Sequence, residues 1–306
     1  MEEYIQLELF NDTSEQEKPK KTLKKRTDPT KEPLDKKIEE ALKLLRTATV
    51  DSDNPIEVSY SGGKDSDVIL ELVRMAGIPY RAIYKNTTID PPGTIKHCKD
   101  MDVEIIRPKK NFAQVIQAKG FPNHIRRFCC SELKEYKILD RSVQGIRRSE
   151  STKRAKLYKE PTVCRLYGSK KQHVEVFLPI LYWTNKDVDD FIQLRGIKCH
   201  PLYYDGEGKF HAERRLGCMG CPQKADNGLC DFKQRPLLVK AWLRNGEIWW
   251  NTHKLKKTKK KFKNHYEVFV RNLFFDDYES FNNAVHSMFG NIDCKAFLEK
   301  YFEIEL

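Results

Sequence analysis

Apolar positions along the chain switch repeatedly between a helical period and short strand-like runs. Leu34, Ile38, Ala41, Leu42 and Leu45 recur at helical spacing, with Pro33 at the start, and predict a first helix. The run Ile56-Glu57-Val58-Ser59-Tyr60 predicts a strand. After a glycine turn, Val68, Ile69, Leu72, Val73 and Ala76 line one helical face. Further strands are expected at 80–84, 103–106, 143–146 and 174–181. Helices are expected at 92–100, 112–118 and 184–194, and a polar helix start at Ser149. The 184–194 helix is well bounded: Thr184 caps it, Asp187 sits three residues later, and Gly196 follows its end. Strand–helix alternation of this kind predicts an α/β fold, a doubly wound and mostly parallel sheet. From about residue 248 the pattern changes to lysine-rich and then aromatic helices. Phe269, Leu273, Phe281 and Val285 are the expected core positions of this C-terminal helical appendage, with a boundary near 235–251. The chain shows no internal repeat.

The turn between the first strand and its helix reads Ser61-Gly62-Gly63-Lys64-Asp65-Ser66. A tight strand-to-helix turn aims free backbone N–H groups and the positive helix end at one point, which suits a phosphate. Gly62 and Gly63 let backbone approach an anion without a clashing Cβ. Ser61 and Ser66 add hydroxyls, and Lys64 adds charge. Two glycines alone would equally suit a structural turn; the whole string in this context is more specific. It is not a Walker A loop, because no Lys-Ser/Thr pair closes the glycine frame.

Length and charge divide the 306 residues into three parts: 1–32, 33–235 and 236–306. The net charge is +12, but Lys18 to Arg26 holds six basic residues and Lys254 to Lys263 holds seven lysines, neither with an acid. Taking those thirteen charges away leaves −1, so the basicity is local. The first part is expected to be flexible, with a short apolar patch at Tyr4 to Phe10 suited to docking. Both basic segments suit a DNA or RNA partner, and a solvated tail is the plain alternative. Lys254 to Lys263 is the stronger of the two, because Phe262 interleaves it and Trp249-Trp250 lie upstream. No apolar run is long enough to cross a membrane, and the acidic N-terminus has no apolar leader, so a cytoplasmic protein is expected.

Nine cysteines without a secretory signal point to thiols or metal ligands before disulfides. Cys129 and Cys130 are adjacent, and Cys218 and Cys221 form a Cys-x-x-Cys. Four thiolates can enclose zinc or an iron–sulfur cluster. Adjacent cysteines diverge, which a cluster tolerates better than a single tetrahedral ion. A [4Fe-4S] cluster is therefore the favoured reading, with zinc as the alternative. Cys98, Cys164 and Cys294 read as small buried hydrophobes; Cys199 and Cys230 are left open.

Together these motifs resemble the phosphoadenosine phosphosulfate (PAPS) reductase family. The glycine turn is similar to the PP-loop of the adenine-nucleotide alpha-hydrolase-like proteins. Gly145-Ile146-Arg147-Arg148-Ser149-Glu150-Ser151 with Arg154, the Pro179 to Ile192 segment, and His200-Pro201-Leu202-Tyr203 leading to Arg215-Leu216-Gly217-Cys218 resemble further family segments. The resemblance covers 56–224. It implies an adenine nucleotide held by Ser61 to Ser66, with Arg147 and Arg154 on its anionic part. It implies Lys134 between cluster and substrate. Asp65 is a candidate partner for the Mg²⁺ that accompanies ATP. The expected catalytic set is Asp65, Lys134 and Arg147. The family's reductases carry a nucleophilic cysteine in a C-terminal tail, and this chain ends without one. The reading that follows is an iron–sulfur enzyme that cleaves ATP to AMP and pyrophosphate, in support of sulfur transfer or nucleic-acid modification, with a sulfur-donor protein as an expected partner. A sulfonucleotide reductase borrowing a thiol from Cys230, Cys294 or a partner is the second reading. A non-catalytic nucleotide- and nucleic-acid-binding protein is the third.

Overall fold

The computed structural model describes residues 28–48, 54–167, 172–287 and 290–306. The basic stretch Lys18 to Arg26 and the patch Tyr4 to Phe10 lie outside the described residues. Among the described residues, six strands form one sheet: β1 (Ile56–Tyr60), β2 (Tyr80–Lys85), β3 (Glu104–Ile106), β4 (Arg141–Val143), β5 (Thr162–Tyr167) and β6 (Gln172–Phe177). Their order is β3-β2-β1-β4-β6-β5. All neighbouring pairs are parallel except β5 with β6. This is the expected doubly wound, mostly parallel sheet.

Seven helices accompany the sheet segments: α1 (Leu34–Thr47), α2 (Lys64–Ala76), α3 (Thr94–Asp100), α4 (Phe112–Lys119), α5 (Phe128–Leu133), α6 (Thr152–Leu157) and α7 (Asn185–Arg195). Strand β1 is central and buried on both faces, as parallel strands between helix layers are. Its one acid, Glu57, is fully buried, held by Lys85 Nζ at 3.0 Å and by the Leu139 amide at 3.0 Å. Val58, Ile69, Leu72, Trp183 and Phe191 belong to the core around this strand. Helix α7 has the predicted cap, with Thr184 and Asp187 bonding each other's backbone reciprocally and Gly196 left-handed at its end.

Three local expectations are corrected. The strand expected at 143–146 ends at Val143. Gly145 instead tucks against α2, where an added Cβ would lie 2.9 Å from the Asp65 carbonyl oxygen. The strand expected at 174–181 ends at Phe177, and the chain then turns through Leu178 and Ile180, whose carbonyls accept from the Leu181 and Trp183 amides. Strand β5 was not anticipated, and Cys164 on it is exposed rather than buried. An edge strand keeps one face in solvent, so burial does not mark it. Cys98 and Cys294 are buried as expected.

The remaining helices are α8 (Leu229–Gln234), α9 (Pro236–Thr252), α10 (Lys256–Lys259), α11 (His265–Phe274), α12 (Tyr278–Val285) and α13 (Cys294–Phe302). Phe269, Leu273, Phe281 and Val285 are buried, as their spacing predicted. They share a core with Phe112, Ile116, Phe121 and Leu133, so this helical region packs directly on α4 and α5. Gly246 makes that contact possible. A Cβ there would sit 2.0 Å from Cζ of Phe121. Phe121 is buried with its ring 5.2 Å from that of Phe269 and cannot step aside. In an exposed helix, Gly→Ala would gain about 1 kcal/mol. Overpacking costs roughly 1–3 kcal/mol or more and wins here. Gly246→Ala is expected to lower the melting temperature in a thermal unfolding scan; an unchanged or higher value would show that α9 can move off α4.

Candidate functional site

The glycine turn lies at the carboxyl end of β1, where the chain leaves for β2 on one side and returns to β4 on the other. In open α/β sheets this switch point is where ligands bind. Gly62 has φ +78°, which only glycine adopts without strain, and a Cβ there would meet Thr94 at 2.9 Å. Gly63 caps α2, and its carbonyl accepts from the Ser66 amide (2.8 Å) and hydroxyl (2.6 Å). Ser61 Oγ lies 3.2 Å from Ser66 Oγ. The buried Tyr203 hydroxyl accepts from the amides of Lys64 and Leu216, so the turn is stitched to the 215–218 segment.

Charge is concentrated around this turn. Lys64 is buried, with Nζ 3.3 Å from the Arg214 carbonyl, 3.4 Å from Asp65, and 5.3 Å from the centre of the Tyr203 ring. Burial pulls its pKa below the ordinary lysine value; Asp65 opposes this, and Arg147 and Arg215 add to it. Arg147 is one of the most deeply buried side chains. It donates from Nε to Asp65 Oδ1 (2.8 Å), from Nη1 to Ser149 (3.1 Å) and from Nη2 to Asn185 (3.0 Å). Arg154 pairs with Glu150, which also takes Arg215 at 3.0 Å. The Arg154 pKa is lowered by burial first and then by Arg215. Four cations thus stand against two carboxylates, an excess of positive charge. An anion placed among them offsets that excess. The expected residues Ser61 to Ser66, Arg147 and Arg154 are therefore brought together. Arg147, however, turns its guanidinium to protein partners, and Asp65 is occupied by Arg147 and Lys64. Asp65 in this arrangement does not fit a direct ligand of Mg²⁺, and no step is assigned through that ion.

Beneath the turn is a buried polar cluster that the sequence did not announce. Tyr60 donates to Asp67, and His97 Nε2 lies 2.9 Å from Asp67 and 3.0 Å from Tyr60. The His200 ring stands edge-on to that of His97 at 5.9 Å, and its Nδ1 accepts from the Leu202 amide (3.2 Å). Burial lowers the His200 pKa, with His97 adding to the effect, and burial also lowers that of His265 on α11. A histidine depressed in the fold contributes stability above its unfolded pKa, near 6.5, and loses it as pH falls through the folded value. His211 is shifted the other way by Asp205 and Glu213, but it is half-buried at the surface beside the exposed Glu213, where solvent screens the pairing. The melting temperature at pH 5.5 is therefore expected to fall below that at pH 7.5. A higher value at pH 5.5 would show that His211 dominates.

The four predicted cysteines meet at one place. Cys129 and Cys130 on α5, and Cys218 and Cys221 from the segment before α8, line one apolar cavity with Thr87, Lys134 and Trp242. The Cys129 thiol donates to Cys130, so the Cys130 pKa is lowered and that of Cys129 raised; Arg127 and Lys134 add positive charge beside Cys130. Burial raises the Cys218 thiol. Cys218 Sγ lies 3.6 Å from both Thr87 Oγ1 and Asp90 Oδ1. Burial works against the Lys134 charge, but Cys218, Asp90 and Cys130 outweigh it and hold the ammonium above its ordinary value. Among the described residues, no three His, Cys, Asp or Glu side chains converge on one metal-ion position. The buried indole N–H of Trp242 has no acceptor. A donor set of four thiols with an unspent N–H nearby fits a sulfide-containing cluster, whose sulfurs accept hydrogen bonds.

Asp90, Asn185 and Trp242 were not predicted. Asp90 closes the loop after β2 by accepting from Thr87 and Tyr84. Its place just past a parallel strand end was the available signal. The two sites adjoin: Leu216 packs on Gly62 and Gly63, and Cys218, two residues on, is at most about 7 Å further along the chain. Lys254 to Lys263 exposes all seven of its lysines.

A family model described as the phosphoadenosine phosphosulfate reductase domain matches residues 55–224. An uncharacterized protein of Methanocaldococcus jannaschii is 31% identical over 69% of this chain and 52% of its own length. A sulfate adenylyltransferase subunit 2 of Sulfurimonas denitrificans is 28% identical over 54% of this chain and 65% of its own. The chain spans about half the length of the uncharacterized relatives it matches. Among solved structures, a U34-tRNA thiolase of Methanococcus maripaludis with its [4Fe-4S] cluster is similar over 70% of this chain and 78% of that one, at 19% identity and a TM-score of 0.35. No described helix is long and apolar enough to cross a membrane.

Proposed function

The chain belongs to the phosphoadenosine phosphosulfate reductase domain family, and from that premise we propose that it splits ATP to AMP and pyrophosphate at the glycine turn, beside a [4Fe-4S] cluster on Cys129, Cys130, Cys218 and Cys221, in support of sulfur transfer or nucleic-acid modification. The observation that carries this reading is the pool of four cations around the turn, of which Arg215 lies three residues along the chain from Cys218 in the cysteine cavity. An acceptor oxygen attacks the alpha-phosphorus. The bond from that phosphorus to the bridging oxygen breaks, its electron pair leaves with pyrophosphate, and the acceptor is left adenylylated; a sulfide-level sulfur nucleophile from the donor then attacks the acceptor atom, whose bond to oxygen breaks with the oxygen and electron pair leaving on AMP. The glycine turn, Lys64 and the exposed part of Arg215 oppose the negative charge that develops on the leaving group. Asp65 and Asn185 hold Arg147, which braces the wall behind the turn. Mg²⁺ would arrive with ATP as part of the substrate, since Asp65 is already paired with Arg147 and Lys64. When bound, the cluster supplies a sulfide-bearing, electron-accepting group next to this site. Lys134 keeps a positive charge between the two.

Of the two thiols of this chain that a sulfonucleotide reduction could draw on, one is unsuited to the role. Cys294 is buried on α13, and burial pushes its thiol up to about 12, which does not suit a nucleophile. Cys230 on α8 is exposed. Anaerobic protein should be incubated with Mg-ATP, and separately with a sulfonucleotide plus a thiol reductant. Pyrophosphate release from ATP is the expected result. Sulfite from the sulfonucleotide would replace this reading with reduction through Cys230 or a partner's thiol. Nucleotide binding without turnover would replace it with a sensing role.

A further inference from the structure

Next to α5 the described residues form a groove that the proposed nucleotide chemistry does not use. Two adjoining hollows, of about 520 and 180 Å³, share Lys119, Arg126, Trp249 and Thr258 as walls. Phe128 and His253 line the first, and Lys261, Phe262 and Tyr278 the second. The cations lie over aromatic faces: Lys119 and Arg126 at 6.0 and 5.6 Å from the Phe128 ring centre, Lys261 at 4.8 Å from that of Tyr278, and Lys259 at 5.2 Å from that of Trp250. Lys119 also pairs with Glu132. The seven exposed lysines of 254–263 run along this edge with no acid among them.

We propose that this groove binds a single strand of nucleic acid, with phosphates on Arg126, Lys261 and the neighbouring lysines and bases against the aromatic walls. The chemistry commits to that occupant. A run of cations attracts a polyanion, and counterion release drives the association. Aromatic faces inside a concave slot accept flat bases, which a single strand offers and a duplex keeps stacked within itself. An acidic peptide would use the charge but would leave the aromatic walls without a matching group. The groove also touches the site described above. Helix α5 presents Phe128 to the groove and Cys129 and Cys130 to the cysteine cavity. A base seated near Phe128 is then one residue along the chain from the proposed cluster ligands. The proposal deepens the reading of nucleic-acid modification by naming the form of the acceptor, and it rests on that reading for its purpose but on separate atoms for its binding.

The test is fluorescence anisotropy of labelled twelve-residue oligo-dT, oligo-U and a twelve-base-pair duplex with the full chain, at 50 and 200 mM KCl. Both single strands are expected to bind more tightly than the duplex. With about three phosphate contacts, affinity should fall roughly twenty-fold across that salt range. Arg126→Glu/Lys261→Glu, both exposed positions, is expected to weaken binding about tenfold or more. Lys43→Glu/Lys99→Glu, the same charge change on α1 and α3, should leave it within about twofold. Circular dichroism on both variants checks that they fold. No binding at 50 mM KCl, equal weakening by both double variants, unaltered binding by the groove variant, or preference for the duplex would each overturn the groove. Pyrophosphate release from Mg-ATP is followed on the same wild-type protein. Release without oligonucleotide binding overturns the groove and leaves the ATP reading standing; binding without release does the reverse.

Discussion

Protein carrying Cys218→Ser and Cys221→Ser is expected to be purified anaerobically without brown absorbance, with iron and acid-labile sulfide at background, while the unsubstituted chain contains both. Serine is close to cysteine in size, so the segment keeps its packing around Gly220, which sits against Phe232 and Trp242. What is lost is the soft thiolate that iron–sulfur clusters and zinc select. Cys164→Ser/Cys230→Ser is the matched control. Both residues are exposed, neither lines the cavity, and iron should be retained. Zinc measured on the same samples separates the two metal readings. Stoichiometric zinc in the parent, lost from the Cys218/Cys221 variant, would replace the cluster with the zinc site. A brown, iron-replete Cys218/Cys221 variant would remove these cysteines as ligands altogether.

The second large effect is expected at Asp65. Asp65→Asn keeps the shape of the side chain but strips Arg147 of its counter-charge. Arg147 is almost wholly buried, and leaving such a cation unpaired costs about 3–5 kcal/mol. A clear fall in melting temperature is therefore expected. Pyrophosphate release should fall about a hundredfold, because a displacement near 1 Å in a reacting group's support costs that much. The double variant Asp65→Asn/Arg147→Met removes the orphaned charge and should recover much of the stability but not the turnover. Recovery of both would show that Asp65 matters only for folding. Full turnover in Asp65→Asn would remove the 61–66 turn's acid from the mechanism.

Legibility differed by element for physical reasons. The alternation that predicts the sheet is a local signal, since each parallel strand needs an apolar run and each crossover an amphipathic helix. The cap of α7 is local as well, because Thr184 and Asp187 satisfy backbone amides within one turn. Strand β5 escaped notice because its residues split between solvent and core, and Cys164 and Leu166 face outward. The early end of β4 escaped because its cause, the seat of Gly145 on Asp65, lies eighty residues away in the chain.

The same division holds at the site. The glycine turn and the four cysteines could be listed from the chain because glycine's φ freedom and the thiol's metal chemistry belong to the residue itself. That Cys129 and Cys130 share a cavity with Cys218 and Cys221, and that Arg147 faces Asp65 rather than open solvent, depends on distances set by packing. So do Asp90 beside Cys218, the uncapped N–H of Trp242, and the joining of the C-terminal lysines to Lys119 and Arg126 in one groove. The sequence by itself determined the fold class and the kinds of chemistry present, because those follow from short-range periodicity and side-chain type. Only the tertiary structure decided which groups are neighbours and which charges are already paired, because both are settled by contacts between residues far apart in the chain.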